Sequence, residues 1–84
     1  MTLKQVLNEV RQLPEFYGRN IRSVKDTGIS GDTPLHAVVF WNNVEALEAL
    51  LAAGADANAI GEMGKTPMHY AVASENLEIA RILL

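Results

Sequence analysis

With 84 residues and no cysteine, the chain has room for one small domain and can carry neither a disulfide nor a thiolate metal site or nucleophile. Its 49% hydrophobic and 20% charged residues are the balance of a folded soluble protein, and the lack of cysteine fits a reducing, cytoplasmic compartment. A net charge of -3 without any Lys/Arg cluster argues against nucleic acid as a partner, and no apolar run is long enough for a signal peptide or a membrane span.

The first element begins at Thr2, which forms a capping-box pattern with Gln5. Leu3, Val6, Leu7 and Val10 then make a helical stripe that Pro14 is predicted to terminate. One apolar face backed by polar residues is what an end cap needs, and Ile21 and Val24 complete its packing. Residues 1–27 are therefore predicted to form an N-terminal capping unit.

Beyond this unit the chain repeats itself. Gly31-Asp32-Thr33-Pro34-Leu35-His36 returns as Gly64-Lys65-Thr66-Pro67-Met68-His69, and aligning 31–51 with 64–84 gives 9 identities in 21 positions. Each copy starts with a threonine suited to cap a helix and a proline suited to its first position. Leu35, Val38 and Val39, matched by Met68, Ala71 and Val72, form an apolar face that must be buried. A second helix begins near Asn43 or Asn76 as N-cap. It carries Val44, Leu47, Leu50 and Leu51 in the first copy and Leu77, Ala80, Leu83 and Leu84 in the next. Gly54 supplies a left-handed helix end, and Ala55 to Lys65 reads as a loop punctuated by Gly61 and Gly64. A pair of short helices cannot bury its faces alone, so stacked copies must share one core. The predicted architecture is an all-α solenoid, with a full unit over 28–60 and a partial one over 61–84.

These features resemble the ankyrin repeat, through the two Thr-Pro-Leu/Met-His segments, Leu50-Leu51-Ala52-Ala53-Gly54-Ala55-Asp56-Ala57-Asn58-Ala59 and Gly64, over roughly residues 28 to 84. The resemblance implies helix-turn-helix units joined by extended loops and a role as a protein-binding scaffold. Three departures stand out. Gly28 and Gly61 occupy the place of an aspartate that usually braces the turn, so looser turns are expected. Asn42 and Glu75 replace the usual glycine between helices, and glutamate tolerates the left-handed region poorly. Val38 takes the place of a small alanine, which predicts a slight adjustment in packing. The chain also stops at Leu84 inside a second helix, with no polar cap over Ile79, Ile82 and the leucines. It is expected to be a piece of a longer repeat protein or to associate with another copy of itself.

His36 and His69 invite a metal or catalytic reading, but they recur with the repeat and lack further converging ligands. In the ankyrin pattern this histidine is structural. Asp56, Glu62 and Glu75 are accompanied by no phosphate loop, serine elbow or HExxH pattern, so no enzyme activity and no cofactor are expected. The resemblance directs attention instead to the concave face of turn tips and first-helix ends. There the protein-binding candidates are Phe40, Trp41, Ile60, Glu62, Met63 and Lys65. Phe40 and Trp41 follow the end of the buried stripe, so at least one of them should be exposed. Trp41 is preferred for binding, with Phe40 folding back onto the cap as the alternative.

Overall fold

The computed structural model describes residues 1–84 and contains five α-helices and no strand. Helix α1 spans Leu3–Val10, α2 Pro34–Phe40, α3 Val44–Ala52, α4 Pro67–Ala73 and α5 Leu77–Leu83. The expected solenoid arrangement follows: α2 packs on α3, α4 on α5, and the first helices α2 and α4 lie side by side. Helix α1 rests against both α2 and α3.

The local rules that start α1 act as the sequence implies. The Thr2 N–H donates to Gln5 Oε1 at 2.8 Å and the Gln5 N–H to Thr2 Oγ1 at 3.2 Å. Val6, Leu7 and Val10 are buried, as are Ile21 and Val24. The helix nevertheless ends at Val10, four residues before Pro14. Leu13, the residue before proline, is held extended, and Pro14–Phe16 form a 3₁₀ turn. That turn places Phe16, fully buried, in the same core as α1, α2 and α3. Further on, Asp26 closes a loop by accepting from the Arg22 and Ser23 N–H groups, which hold its carboxyl below the usual range.

Asn43 and Asn76 cap α3 and α5, accepting from the Ala46 and Ile79 N–H groups at 3.1 Å each. Three helices end in the same way. The Asn42 N–H donates to Val39 O and the Asn43 N–H to Val38 O; Gly54 and Ala55 repeat this on Leu51 and Leu50, and Glu75 and Asn76 on Val72 and Ala71. This pattern needs a left-handed residue, and φ is 60° at Asn42, 91° at Gly54 and 56° at Glu75. Asn42 is compensated, because its Oδ1 accepts from Ser74 Oγ and Asn76 Nδ2. Glu75 is exposed and forms no side-chain hydrogen bond of this kind. A non-glycine residue in this region costs about 1–2 kcal/mol, of which the greater freedom of glycine in the unfolded chain returns part. Glu75→Gly is therefore expected to stabilise the fold by about 0.5–1 kcal/mol, read as a thermal midpoint several degrees higher. Asn42→Gly should gain less or lose, because it also removes two hydrogen bonds to the next unit.

The core of 14 buried apolar residues centres on Val6, Val10, Phe16, Leu35, Val38, Val39, Leu47 and Leu50. In the last unit the burial pattern departs from expectation. Val72 is 64% exposed and Leu77 70%, whereas Ile79, expected to lie uncovered, is fully buried. The two apolar sides of this unit face different surroundings. Ile79 joins the core shared with the preceding unit, while Val72 and Leu77 lie on the side where no following helix of the chain packs. Val38 is accommodated at zero exposure in the core.

Candidate protein-binding surface

Two turn tips lead into α2 and α4. Each is closed by one backbone bond, from the Gly28 N–H to Asp32 O at 2.8 Å and from the Gly61 N–H to Lys65 O at 2.7 Å. The expectation that glycine at 28 and 61 loosens these turns does not hold. In each case an acidic residue from an earlier segment fills the space that a side chain would need: a Cβ on Gly28 would stand 2.5–2.6 Å from Glu15 Cγ, its backbone O and its Oε2, and one on Gly61 would run into Asp32 Oδ1. Both carboxylates clasp the tip. Glu15 Oε2 accepts from the Ser30 N–H at 2.8 Å and from Ser30 Oγ at 2.6 Å, and Asp32 Oδ1 accepts from the Glu62 N–H at 2.8 Å. The bracing acid is present but comes from the preceding segment.

His36 joins the same two units. Its Nε2 lies 2.9 Å from Lys65 O, which can only accept, so Nε2 carries the hydrogen and Nδ1 accepts from the Thr33 N–H at 3.0 Å. The ring is fully buried. His69 makes the equivalent local bond, accepting from the Thr66 N–H at 2.9 Å, but is exposed. Asp56 accepts from the Asn58 N–H within its loop. No group of three or more His, Cys, Asp or Glu side chains is placed to hold a metal ion.

Beside the tips runs a groove of about 300 Å³, walled by Leu13, Pro14, Phe40, Trp41 and Tyr70 and edged by Glu15, Asp32 and Glu62. The groove brings together three of the six predicted residues, Phe40, Trp41 and Glu62. Phe40 does not fold back onto the cap. It is 69% exposed, more than Trp41 at 40%, and its ring packs edge to face on Tyr70 with centroids 6.0 Å apart. Lys65 lies just outside, its Nζ 5.8 Å from the Tyr70 ring centroid. Ile60 and Met63 are strongly exposed on the second loop and do not line the groove. Met63 holds a left-handed φ of 55°.

Tyr70 is the central residue that the sequence did not single out. It stands where the first copy has Ala37, so the only signal was an aromatic in place of a small residue. Its hydroxyl donates to Asp32 Oδ2 at 3.1 Å. Burial first, and then the negative charge of Asp32, its hydrogen bond and the charges of Glu62 and Glu15, push the Tyr70 hydroxyl up to about 12. The folded value lies above the unfolded one, so the stability that protonated Tyr70 supplies is complete below about pH 10 and is lost as the pH rises toward about 12. In a Tyr17→Phe variant, where Tyr70 is the only tyrosine, phenolate absorbance should rise only toward about pH 12, and Asp32→Asn should move that rise to lower pH.

A helix-turn-helix stack with Thr-Pro-x-His starts and extended tips defines a class of repeat scaffold. The chain matches the family model described as ankyrin repeats (3 copies) over residues 3–84, and it belongs to the ankyrin-repeat family. It is similar to a neurogenic locus notch homolog protein 1 from Xenopus tropicalis, with 33% identity over 72 residues, covering 86% of this chain and 3% of that protein. It is also similar to Rabankyrin-5 from Homo sapiens, with 39% identity over 78 residues, covering 93% of this chain and 6% of that protein. The chain thus spans only a few per cent of the length of these relatives. Ankyrin repeats in general are protein-interaction scaffolds without catalytic activity. No helix is long and apolar enough to cross a membrane.

Proposed function

We propose that this chain is a non-catalytic, cytoplasmic protein-binding module that docks its partner along the concave side, with Phe40, Trp41 and Glu62 at the centre of contact. Ile60, Met63 and Lys65 extend the contact over the second tip. Residues 1–27 act as its capping unit, 28–60 as a full repeat and 61–84 as a partial one. The observation that carries this reading is the exposed pair Phe40 and Trp41 edging a groove on a small domain. Large exposed aromatics beside a concavity are what binding hot spots are made of. The test is to capture a partner with the immobilised chain, purify it and titrate it by calorimetry against Trp41→Ala. Affinity should fall by about 2 kcal/mol, roughly thirtyfold, with the thermal midpoint of the module unchanged. If Trp41→Ala and Phe40→Ala both bind like the parent chain, the groove is not the docking surface.

A second reading has its own observation. Val72 and Leu77 are 64% and 70% exposed and, with Ala80, line one side of α4 and α5, an apolar face through which a second copy would associate. Sedimentation should then show a concentration-dependent dimer that Leu77→Glu abolishes. A monomer at every concentration would sink this reading.

A further inference from the structure

We infer that the groove receives the guanidinium of an arginine on the docking partner, held between aromatic walls and a rim of carboxylates. The inference rests on the docking reading above and adds the chemistry of the occupant. The argument is charge complementarity. Phe40, Trp41 and Tyr70 line the groove together with Glu15, Asp32 and Glu62, yet none of the three carboxylates is in an ion pair. The one ion pair of the chain joins the N-terminus to Glu45, which does not line the groove. All three carboxylates act on the Tyr70 hydroxyl, so their fields overlap at one spot. A concave site lined by one sign of charge with apolar walls focuses its field on an incoming ion of the opposite sign.

The details favour a guanidinium over a compact ammonium. Glu15 and Asp32 have spent part of their accepting capacity on the tips and on Tyr70, leaving separated lone pairs, while the Glu62 carboxylate accepts no hydrogen bond within the chain. Scattered acceptors suit a planar group with five donors. Flat aromatic walls suit its stacking. A cation already lies near the Tyr70 ring, since Lys65 Nζ is 5.8 Å from its centroid without a carboxylate partner in ion-pair range. A volume of about 300 Å³ is at the small end for ligand sites and suits one long side chain better than a folded segment.

The test uses three synthetic tripeptides, acetyl-Gly-X-Gly-amide with X as arginine, lysine or citrulline, titrated into the full chain up to millimolar concentration. The readout is the NMR shift of the Trp41 indole N–H. Arginine should bind, lysine more weakly, and citrulline, which keeps the shape but not the charge, at least about threefold more weakly than arginine. Glu62→Gln should weaken arginine binding at least about threefold and leave the fold intact, since that side chain braces nothing. Citrulline binding like arginine, or no shift with any peptide, overturns the inference. The purified protein partner separates the two levels. If its affinity falls with Trp41→Ala but not with Glu62→Gln, the docking surface stands and the arginine is wrong. If it falls with neither of these nor with Phe40→Ala, both are wrong.

Discussion

Phe16→Ala is expected to cost about 3–5 kcal/mol and to leave much of the chain unfolded at room temperature. Phe16 heads the largest fully buried side chains of the molecule, lying on the 3₁₀ turn that follows α1, and it belongs to the same core cluster as Val6, Val10, Leu35 and Leu47. Truncation removes its burial and also leaves a cavity that helices fixed by their own caps cannot readily close. A domain of this size with one core has about 5 kcal/mol or a little more to lose. Far-ultraviolet circular dichroism with urea titration measures the loss directly. A fall below about 1 kcal/mol would mean that residues 1–27 are peripheral to the fold, whereas Phe16→Leu, which keeps most of the volume, should cost far less.

His36→Ala is expected to cost about 3 kcal/mol, and His69→Ala less than about 1, although the two residues hold equivalent positions in the repeat. The difference comes from surroundings. Removing the His36 ring takes the acceptor from the buried Thr33 N–H and the donor from Lys65 O, at about 1–3 kcal/mol for the buried group and less for the part-exposed one. It also opens a void against Tyr70, whose ring centroid lies 5.9 Å from that of His36. His69 is exposed, so water replaces what its removal takes from Thr66. Denaturant midpoints for the two variants decide the matter, and equal losses would contradict the inter-unit role of His36.

The sequence revealed the helices because each is set by rules acting within a few residues: a threonine and proline at one start, an asparagine at the other, a left-handed residue at the end. Even the strain at Glu75 could be read, since its place in the repeat demanded a conformation its side chain resists. Phe16 and Tyr70 escaped notice for the opposite reason. The groove depends on Glu15 meeting Ser30 and Asp32 meeting Tyr70, pairs 15 and 38 residues apart, and no local period records such meetings. Burial in the last unit was misjudged on similar grounds. Periodicity marks Val72, Leu77 and Ile79 alike as apolar, but only the arrangement of neighbours decides that Ile79 is covered and the other two are not. For the surface, aromatic excess at Phe40 and Trp41 was legible, and the walls opposite them were not.

The clasped tips bear on how such units can be rearranged. At Gly28 and Gly61 the usual aspartate is missing because its space belongs to an acid contributed from upstream, Glu15 in one case and Asp32 in the other. Each glycine and its distant acid are therefore sterically coupled, so that a side chain at one requires a change at the other. A repeat beginning with such a glycine cannot be shuffled behind an arbitrary neighbour, and restoring the family's aspartate at Gly61 alone would set two carboxylates in the space of one. The segments of this chain look interchangeable by period, but their junctions give them a fixed order.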